Sequence, residues 1–346
     1  MKYTRLGKTD EKVSLICLGT MTFGEQNTEA EGHEQLDYAV EQGINFIDTA
    51  EMYPIATRKE TQGDTERIIG TWLKKRNKRD DLILATKITG PAPHITWLRD
   101  PMKFDSSQIR EALEGSLKRL QTDYVDLYQL HWPERRTNFF GQRGYKHNPK
   151  HAWEENFEEV LETVQDLMKE GKIRYLGLSN ETPWGFQKFL QLSESKNLPR
   201  VVSVQNPYSL LNRLYEVGMA EISIREEAGL LAYSPLAFGL LSGKYHRGED
   251  NERSRINLFK VFARYNSENC HKATEEYMKI AEKEGITPTQ LALAFVNGRD
   301  FMTSNIIGAT SMEQLKENIS SVDIELSKDA LKAIEAVQAN IPDPAP

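Results

Sequence analysis

The feature that most constrains the fold is a regular alternation along the chain. Short runs rich in β-branched and apolar residues alternate with longer segments, such as 107–120 and 156–170, in which apolar residues recur every three or four positions. Such alternation predicts parallel strands joined by helices, and eight repeats predict closure into a (β/α)₈ barrel. The eight predicted strands are residues 14–19, 44–50, 82–88, 124–131, 173–179, 201–206, 230–235 and 305–309.

The segments outside this alternation complete the predicted architecture. Three connections are longer than the usual two to six residues, and each follows a strand, so we expect them on the C-terminal face of the barrel. They are residues 89–105, 132–153 and 236–271. Residues 1–13 are predicted to form a hairpin that closes the barrel bottom, and residues 328–340 an extra C-terminal helix. Because no Gly/Ser linker or change of composition interrupts the chain, residues 1–346 are predicted to form one domain.

Composition excludes several classes of function. The formal net charge of -7 gives no support to a nucleic-acid or anionic-membrane surface. No secretory pattern opens the sequence, and no apolar run approaches the roughly 20 residues that span a bilayer. The two cysteines, Cys17 and Cys270, provide neither a disulfide framework nor a metal pair. We therefore expect a cytoplasmic protein without nucleic-acid or membrane partners.

A metal site is not expected either. His147 and His151 have the spacing of a helical ligand pair, but Pro149 lies between them and disfavours a helix.

Polar or small residues mark the end of nearly every predicted strand. Because parallel strands in a barrel end at one rim, these residues are expected to surround a concave mouth, which is where barrel enzymes build their active sites. They are Gly19 and Thr20, Asp48, Lys87, His131, Ser179 and Asn180, Gln205 and Asn206, Tyr233 and Ser234, and Gly308.

Three of these residues, together with one nearby tyrosine, predict general acid catalysis. Burying Lys87 beside Asp48 for stability alone is costly, because desolvation can exceed the Coulombic gain. A lysine ammonium beside Tyr53 favours the phenolate, by roughly 4 kcal/mol at about 4 Å, and so lowers the tyrosine pKa. The sequence thus predicts Tyr53 as a general acid tuned by Lys87, with Asp48 holding Lys87 and His131 orienting a carbonyl.

Seven short motifs then point to one family. The chain resembles the aldo-keto reductases over nearly its whole length, and is most similar to the Tas-like bacterial subgroup. The motifs are DTAEMY at 48–53, ATK ending at Lys87, LHWP at 130–133, GLSN at 177–180, VQNPYS at 204–209, YSPL at 233–236 and GATSMEQLKEN at 308–318.

The resemblance implies a catalytic tetrad of Asp48, Tyr53, Lys87 and His131. It also implies the reaction: NADPH gives its pro-R hydride to an aldehyde or ketone while Tyr53 gives the proton, and the product is an alcohol. The implied partner is a small-molecule carbonyl compound, and the oligomeric state is left open.

The same resemblance implies an NADPH molecule extended across the rim. Thr20 and Asp48 would contact the nicotinamide ribose, and Tyr233 would stack on the ring. The remaining implied contacts are Ser179, Asn180 and Gln205 to the carboxamide, Ser234, Leu236, Gly239 and Lys244 to the pyrophosphate, Thr310, Gln314, Glu317 and Asn318 to the adenosine end, and Met21, Arg255 and Gly308 elsewhere in the cofactor site.

The chain departs from the family pattern at two cofactor positions. Many relatives have lysine and arginine where this sequence has Gly308 and Gln314, so the 2'-phosphate needs other cations. Lys244, Arg253 and Arg255 are the candidates.

Two other functions compete with carbonyl reduction. Proteins resembling potassium-channel β subunits share this fold and cofactor and act as regulatory modules, but they tend to have asparagine where this chain has His131. A Schiff-base aldolase would use Lys87 as a nucleophile, which a charged lysine opposes.

The 132–153 connection is the remaining sequence hypothesis. It has five basic residues against one acid, Glu134, together with Phe139, Phe140 and Tyr145. This composition predicts a lid that favours anionic carbonyl substrates, with a surface loop or subunit contact as the alternative. The basic residues are Arg135, Arg136, Arg143, Lys146 and Lys150.

Overall fold

The computed structural model describes residues 1–150, 153–250, 252–259 and 264–346, and within them eight parallel strands close into a barrel. Each barrel strand pairs with the next in chain order, and the last closes on the first, which confirms the predicted (β/α)₈ architecture. The strands are β3 (Ile16–Gly19), β4 (Phe46–Asp48), β5 (Ile83–Ile88), β6 (Val125–Leu130), β7 (Ile173–Ser179), β8 (Val201–Pro207), β9 (Gly229–Tyr233) and β10 (Met302–Ile307).

Helices follow the strands and surround the barrel. None of those in the described ranges is both long and apolar enough to cross a membrane. They are α1 (Glu29–Glu41), α2 (Asp64–Arg76), α3 (Ser106–Leu120), α4 (Phe157–Lys169), α5 (Pro183–Lys196), α6 (Tyr215–Gly218), α7 (Ala220–Arg225), α8 (Lys244–Arg247), α9 (Arg255–Leu258), α10 (Glu268–Glu284), α11 (Pro288–Asn297), α12 (Met312–Ser320) and α13 (Lys328–Asn340). The extra C-terminal helix was predicted with these bounds.

Side-chain alternation in the strands separates two cores. In β5, Ile83 and Ala85 belong to the cluster inside the barrel, whereas Leu84 and Ile88 pack under the surrounding helices. Lys87 continues the inward-facing set of Ile83 and Ala85, since strand side chains alternate with a period of two. The strand register therefore directs this lysine into the barrel, at its C-terminal end.

The predicted N-terminal hairpin is also confirmed. Strands β1 (Tyr3–Arg5) and β2 (Lys12–Ser14) pair antiparallel, and Leu6 and Val13 are fully buried in the cluster inside the barrel. Ser14 was predicted in the first barrel strand, but it ends β2, and the barrel strand begins at Ile16.

Side-chain caps define where several helices begin. Thr28 accepts a hydrogen bond from the Glu31 amide while Glu31 reaches back to the Thr28 amide, which satisfies two otherwise unpaired donors of α1. Thr287 and Gln290 do the same for α11. Asp105 caps α3, so the long connection after β5 ends at a fixed point.

Strand β10 begins three residues before its predicted start. Its first half is polar, yet the hydroxyl of Ser304 donates to the Ser14 carbonyl at 2.7 Å, and the Asn305 amide donates to Asn297 at 2.9 Å. Because these groups find partners inside the fold, they can be buried in a strand whose composition does not suggest one.

Candidate active site

Four predicted residues come together at the C-terminal rim of the barrel. Asp48 ends β4, Lys87 lies in β5, His131 directly follows β6, and Tyr53 lies in the turn after β4. Their exposed fractions are 3%, 0%, 7% and 9%, in that order. Burying four polar side chains at one place is costly unless they satisfy one another or a ligand.

Lys87 and Asp48 form the centre of this group. The Lys87 Nζ lies 2.6 Å from Asp48 Oδ2 and also donates to the Thr49 carbonyl at 2.7 Å. Burial is the largest effect and lowers the pKa of Lys87, but Asp48, Tyr53 and Cys17 together more than offset it, so the lysine pKa is raised overall. Lys87 is therefore an ammonium ion near neutral pH, which opposes its use as a Schiff-base nucleophile.

The second carboxylate oxygen of Asp48 is held by two amides. Gln129 and Gln205 donate to Asp48 Oδ1 at 3.0 and 2.9 Å. Gly177 makes room for this arrangement, because a Cβ there would lie 3.0 Å from the Gln129 Cγ. Sequence reasoning missed Gln129, although a polar residue on the same strand face as His131 is a usable signal.

Tyr53 lies against both Lys87 and His131. The Lys87 Nζ is 4.9 Å from the centre of the Tyr53 ring, and the Tyr53 and His131 ring centres are 5.7 Å apart. The predicted lowering of the tyrosine pKa is wrong for this state: burial raises the pKa of Tyr53 by more than the Lys87 charge lowers it. The side chain is therefore a protonated phenol near neutral pH.

His131 is held as a neutral imidazole. Burial, together with the positive charge of Lys87, places the pKa of His131 well below its usual range. Its Nδ1 is buried and has no hydrogen-bond partner among the described residues. A neutral ring can donate one hydrogen bond and accept another, which suits it to contact a polar ligand atom.

The rim residues assigned to the nicotinamide end separate into two sets. The Tyr233 hydroxyl donates to Asn180 Oδ1 at 2.7 Å, and Asn180 Nδ2 donates to the His131 carbonyl at 2.9 Å and to the Ser179 hydroxyl at 3.1 Å. Thr20 instead donates to the Asp48 carbonyl at 2.8 Å, and Gln205 to the Asp48 carboxylate. Thr20 and Gln205 thus support Asp48.

The residues assigned to the pyrophosphate lie in the connection after β9. Gly239 has a φ of +86°, and a Cβ there would lie 3.3 Å from the Lys244 Nζ. Burial and the positive charge of Arg255 lower the pKa of Lys244, which Asp250 only partly offsets. Within the described ranges neither cation forms an ion pair; Arg255 lies over the Phe238 ring at 5.1 Å, and Lys244 lies over the Tyr245 ring at 5.2 Å. Ser234 and Leu236 lie just before this turn.

The residues assigned to the adenosine end lie just before α12 and along it. Thr310 donates from its amide to Gln314 Oε1 at 3.0 Å, and Asn318 donates to the Gly308 carbonyl at 3.1 Å. Glu317 accepts from the hydroxyl of Thr287, the cap of α11, at 2.6 Å. Gly308 is exposed and has open space beside it. Met21 lies at the other side of the mouth, where its carbonyl accepts from Ile55.

An apolar wall contains Tyr53 and packs around its ring, and Met21 contacts the same wall. It is built from the turn after β4, the connection after β5 and the residue that follows His131, and a pair of ionised side chains holds the first two together. Its buried members are Ala50, Met52, Tyr53, Ala92, Ile95, Met102 and Trp132.

That ionised pair consists of Glu51 and Arg99. Arg99 donates to both carboxylate oxygens of Glu51, at 2.5 and 3.0 Å, and the Thr89 amide donates to the same carboxylate at 2.5 Å. Sequence reasoning did not single out either residue.

The 132–153 connection differs from its predicted role. Arg135 is buried and donates to Glu181 and Thr182, and Arg143 donates to the Asp343 carbonyl. These two arginines are therefore committed to the protein itself, which contradicts the expectation that they create a field for substrates. Phe139 packs on the apolar wall, as a lid would.

Of the two histidines with metal-ligand spacing, only His147 lies within the described residues. His151 lies outside the described residues, and those that are described contain no group of three side chains able to hold a metal ion.

Comparisons with known proteins show which sequences this chain resembles. A model of the Aldo/keto reductase family matches residues 15–339. Protein tas of Escherichia coli is 50% identical, with 100% of both chains covered. The oxidoreductase YrpG of Bacillus subtilis is 33% identical over 97% of this chain and 96% of its own length. Norsolorinic acid reductase B of Dothistroma septosporum is 27% identical over 97% of this chain and 81% of its own.

Proposed function

This chain belongs to the aldo/keto reductase family, and from that premise we propose that it reduces an aldehyde or ketone to an alcohol with NADPH. The observation that carries the proposal is the buried Asp48–Lys87 pair beside the phenol of Tyr53 and the neutral ring of His131. Two relatives are named as an oxidoreductase and a reductase, which supports the reaction class.

The proposed roles follow from the protonation state of each group. When bound, NADPH supplies the hydride that adds to the carbonyl carbon. His131 donates a hydrogen bond to the carbonyl oxygen and so orients it toward Tyr53. The incoming hydride pair forms the C–H bond, and the electron pair of the carbonyl π bond moves onto the oxygen. As negative charge develops there, the Tyr53 hydroxyl transfers its proton to the oxygen, which forms the O–H bond of the alcohol and leaves a phenolate.

Lys87 assists this proton transfer without giving a proton itself. The product alkoxide is far more basic than a phenolate, so a phenol with a raised pKa remains a competent donor. The ammonium ion beside the ring stabilises the phenolate that is left, and water then reprotonates it. Asp48 keeps Lys87 charged and in place, while Gln129 and Gln205 fix Asp48.

The cofactor assignment is supported by the cation pair of the β9 connection. Lys244 and Arg255 lie together without an ion-pair partner in the described ranges, and the absence of a side chain at Gly239 leaves backbone open beneath Lys244. A diphosphate group fits this surface, because its negative charge offsets both cations and a glycine permits close approach. Lys244 and Arg255 would hold the phosphates, and the start of α12 the adenosine end.

The substrate is proposed to be a small carbonyl compound with an apolar body, because the wall beside Tyr53 consists of methionine, isoleucine, alanine and tryptophan side chains. The preference for NADPH over NADH, the cytoplasmic location and the lack of nucleic-acid and membrane partners stay predictions.

The test is the Tyr53→Phe variant, assayed for NADPH oxidation with a set of aldehydes. We expect kcat to fall by roughly 10²- to 10⁴-fold, because only the proton donor is lost, while the NADPH Kd stays near the parent value. Lys87→Met is expected to act similarly. Tyr175→Phe is the matched control, since that tyrosine packs against the cluster at the barrel's opposite end.

Two outcomes would contradict the proposal. A Tyr53→Phe variant that reduces aldehydes at the parent rate would show that another group gives the proton. A parent protein that binds NADPH and reduces no carbonyl compound would instead favour a regulatory module.

A further inference from the structure

The Glu51–Arg99 pair lies outside the group of reacting side chains and borders the turn that carries Tyr53. Glu51 precedes Tyr53 by two residues, and the side chains of Glu51 and Arg99 are 2% and 7% exposed. Two nitrogens of Arg99 each donate to a different oxygen of the carboxylate. Such a bidentate pair fixes the direction of the carboxylate as well as its distance, which apolar contacts do not.

Glu51 joins this turn to β5, the strand that carries Lys87. Its amide donates to the Lys87 carbonyl at 3.2 Å, and its carboxylate accepts from the Thr89 amide at 2.5 Å. Gln62, at the far end of the same turn, donates to the Glu51 carbonyl. Glu51 therefore holds the two ends of the segment that contains Tyr53 next to the main chain of Lys87.

Arg99 belongs to the connection after β5, which provides part of the apolar wall. Trp97 and Leu98, the two residues before it, pack against the cluster that contains Tyr53. The bonds from Arg99 to Glu51 therefore set the position of the turn relative to this wall. Without them, main-chain contacts and apolar packing alone would place Tyr53.

A gain in stability does not account for this arrangement. Desolvating two charges is costly, and apolar residues of similar volume often stabilise a fold equally well or better. The pair instead provides a fixed geometry beside the proposed proton donor. Such geometry affects the rate directly, because displacing the reacting atoms by about 1 Å can slow a reaction about 100-fold.

We propose that Arg99 is a positioning residue for the reaction: acting through Glu51, it holds the hydroxyl of Tyr53 where it gives its proton to the carbonyl oxygen. The inference rests on the proposed function and adds to it a residue from outside the tetrad. Because neither the substrate nor NADPH binds Arg99 in this scheme, its loss should lower kcat more than it raises KM, and the NADPH Kd should stay near the parent value.

The experiment measures benzaldehyde reduction by NADPH in Arg99→Met, Arg99→Lys and the double variant Glu51→Gln/Arg99→Met, below the unfolding temperature of each. Arg99→Met should lower kcat by about 10- to 100-fold. Arg99→Lys should restore part of the loss, because an ammonium can still bond the Glu51 carboxylate. The double variant has no unpaired buried charge, so it should regain stability while its kcat stays low. Should Arg99→Met not fold, the double variant decides.

Arg79→Met is the matched control. Arg79 donates to the buried Asp126 carboxylate at 2.6 Å, and the Leu84 amide donates to the same carboxylate at 2.9 Å. This pair resembles Glu51–Arg99 in its chemistry, but it lies near the start of β5 and β6, at the opposite end of the barrel. Arg79→Met should therefore lower stability and leave kcat near the parent value.

A spectroscopic measurement on the protein without substrate separates this inference from the proposed function. With tyrosine isotope-labelled at Cζ, the NMR resonance of Tyr53, assigned with Tyr53→Phe, should move in the double variant and stay in place in Arg79→Met. A kcat that recovers with stability in the double variant, an equal loss of kcat in Arg79→Met, or an unmoved Tyr53 resonance in the double variant would each overturn the role of Arg99. If the parent reduces no aldehyde, the proposed function fails, and the resonance still decides whether Arg99 positions Tyr53.

Discussion

Tyr53 and His131 illustrate how one environment determines two protonation states. Burial opposes charge on both side chains, so it raises the pKa of the phenol and lowers that of the imidazole. The charge of Lys87 strengthens the effect on His131 and weakens it on Tyr53. Near neutral pH the site therefore combines a neutral acid and a neutral hydrogen-bond donor with one fixed ion pair.

The lowered pKa of His131 predicts how its ring responds to pH. Because its pKa lies well below the ordinary value of about 6.5, the ring should stay neutral as the pH falls through that value, and kcat/KM should show no loss from its protonation there. The measurement is the Cε1–H chemical shift of His131 by NMR, assigned with His131→Gln. A midpoint at or above the ordinary value would contradict the described environment.

The sequence was sufficient to choose the reacting side chains but not their acidities. Asp48, Lys87 and His131 stand out because they are polar residues at the ends of apolar strands. The pKa of Tyr53 was predicted in the wrong direction, because it depends on how completely the wall buries the ring.

At the scale of elements, the Glu51–Arg99 pair fixes the turn that carries Tyr53. It joins the connection after β4 to the one after β5, and the Thr89 amide adds a third bond to the same carboxylate. Because both charges are buried, removing one leaves the other without a partner. The pair is thus a positioning device for the loop that carries the proposed acid.

The corresponding prediction concerns stability. Arg99→Met should lower the free energy of unfolding by about 3–5 kcal/mol, because it leaves the Glu51 carboxylate buried and unpaired. Arg58→Met is the control: its partner is Glu25 and the arginine is about half exposed, so the loss should be within about 1 kcal/mol. Urea unfolding at neutral pH measures the free energy of unfolding of both variants. Equal losses in the two variants would argue against a positioning role for the Glu51–Arg99 pair.

At the scale of the whole molecule, the sequence predicted the architecture and missed details of its boundaries. Periodic patterns predicted the eight strands and the last helix, because periodicity reports which face is buried, and a turn-like setting around Gly7 and Asp10 predicted the closing hairpin. The start of strand β10 was predicted three residues too late, because its buried polar residues form hydrogen bonds with partners that the strand's own sequence does not reveal. The roles of Arg135 and Arg143 were wrong for the same reason: Glu181 and Asp343 approach them only in the folded chain.

Hydride transfer from stereospecifically deuterated NADPH to an aldehyde, read by mass spectrometry of the alcohol, tests the proposed reaction itself. We expect deuterium from the pro-R position to appear on the carbinol carbon, and the pro-S label to stay with the cofactor. Transfer of the pro-S label, or an alcohol free of deuterium from either position, would contradict it.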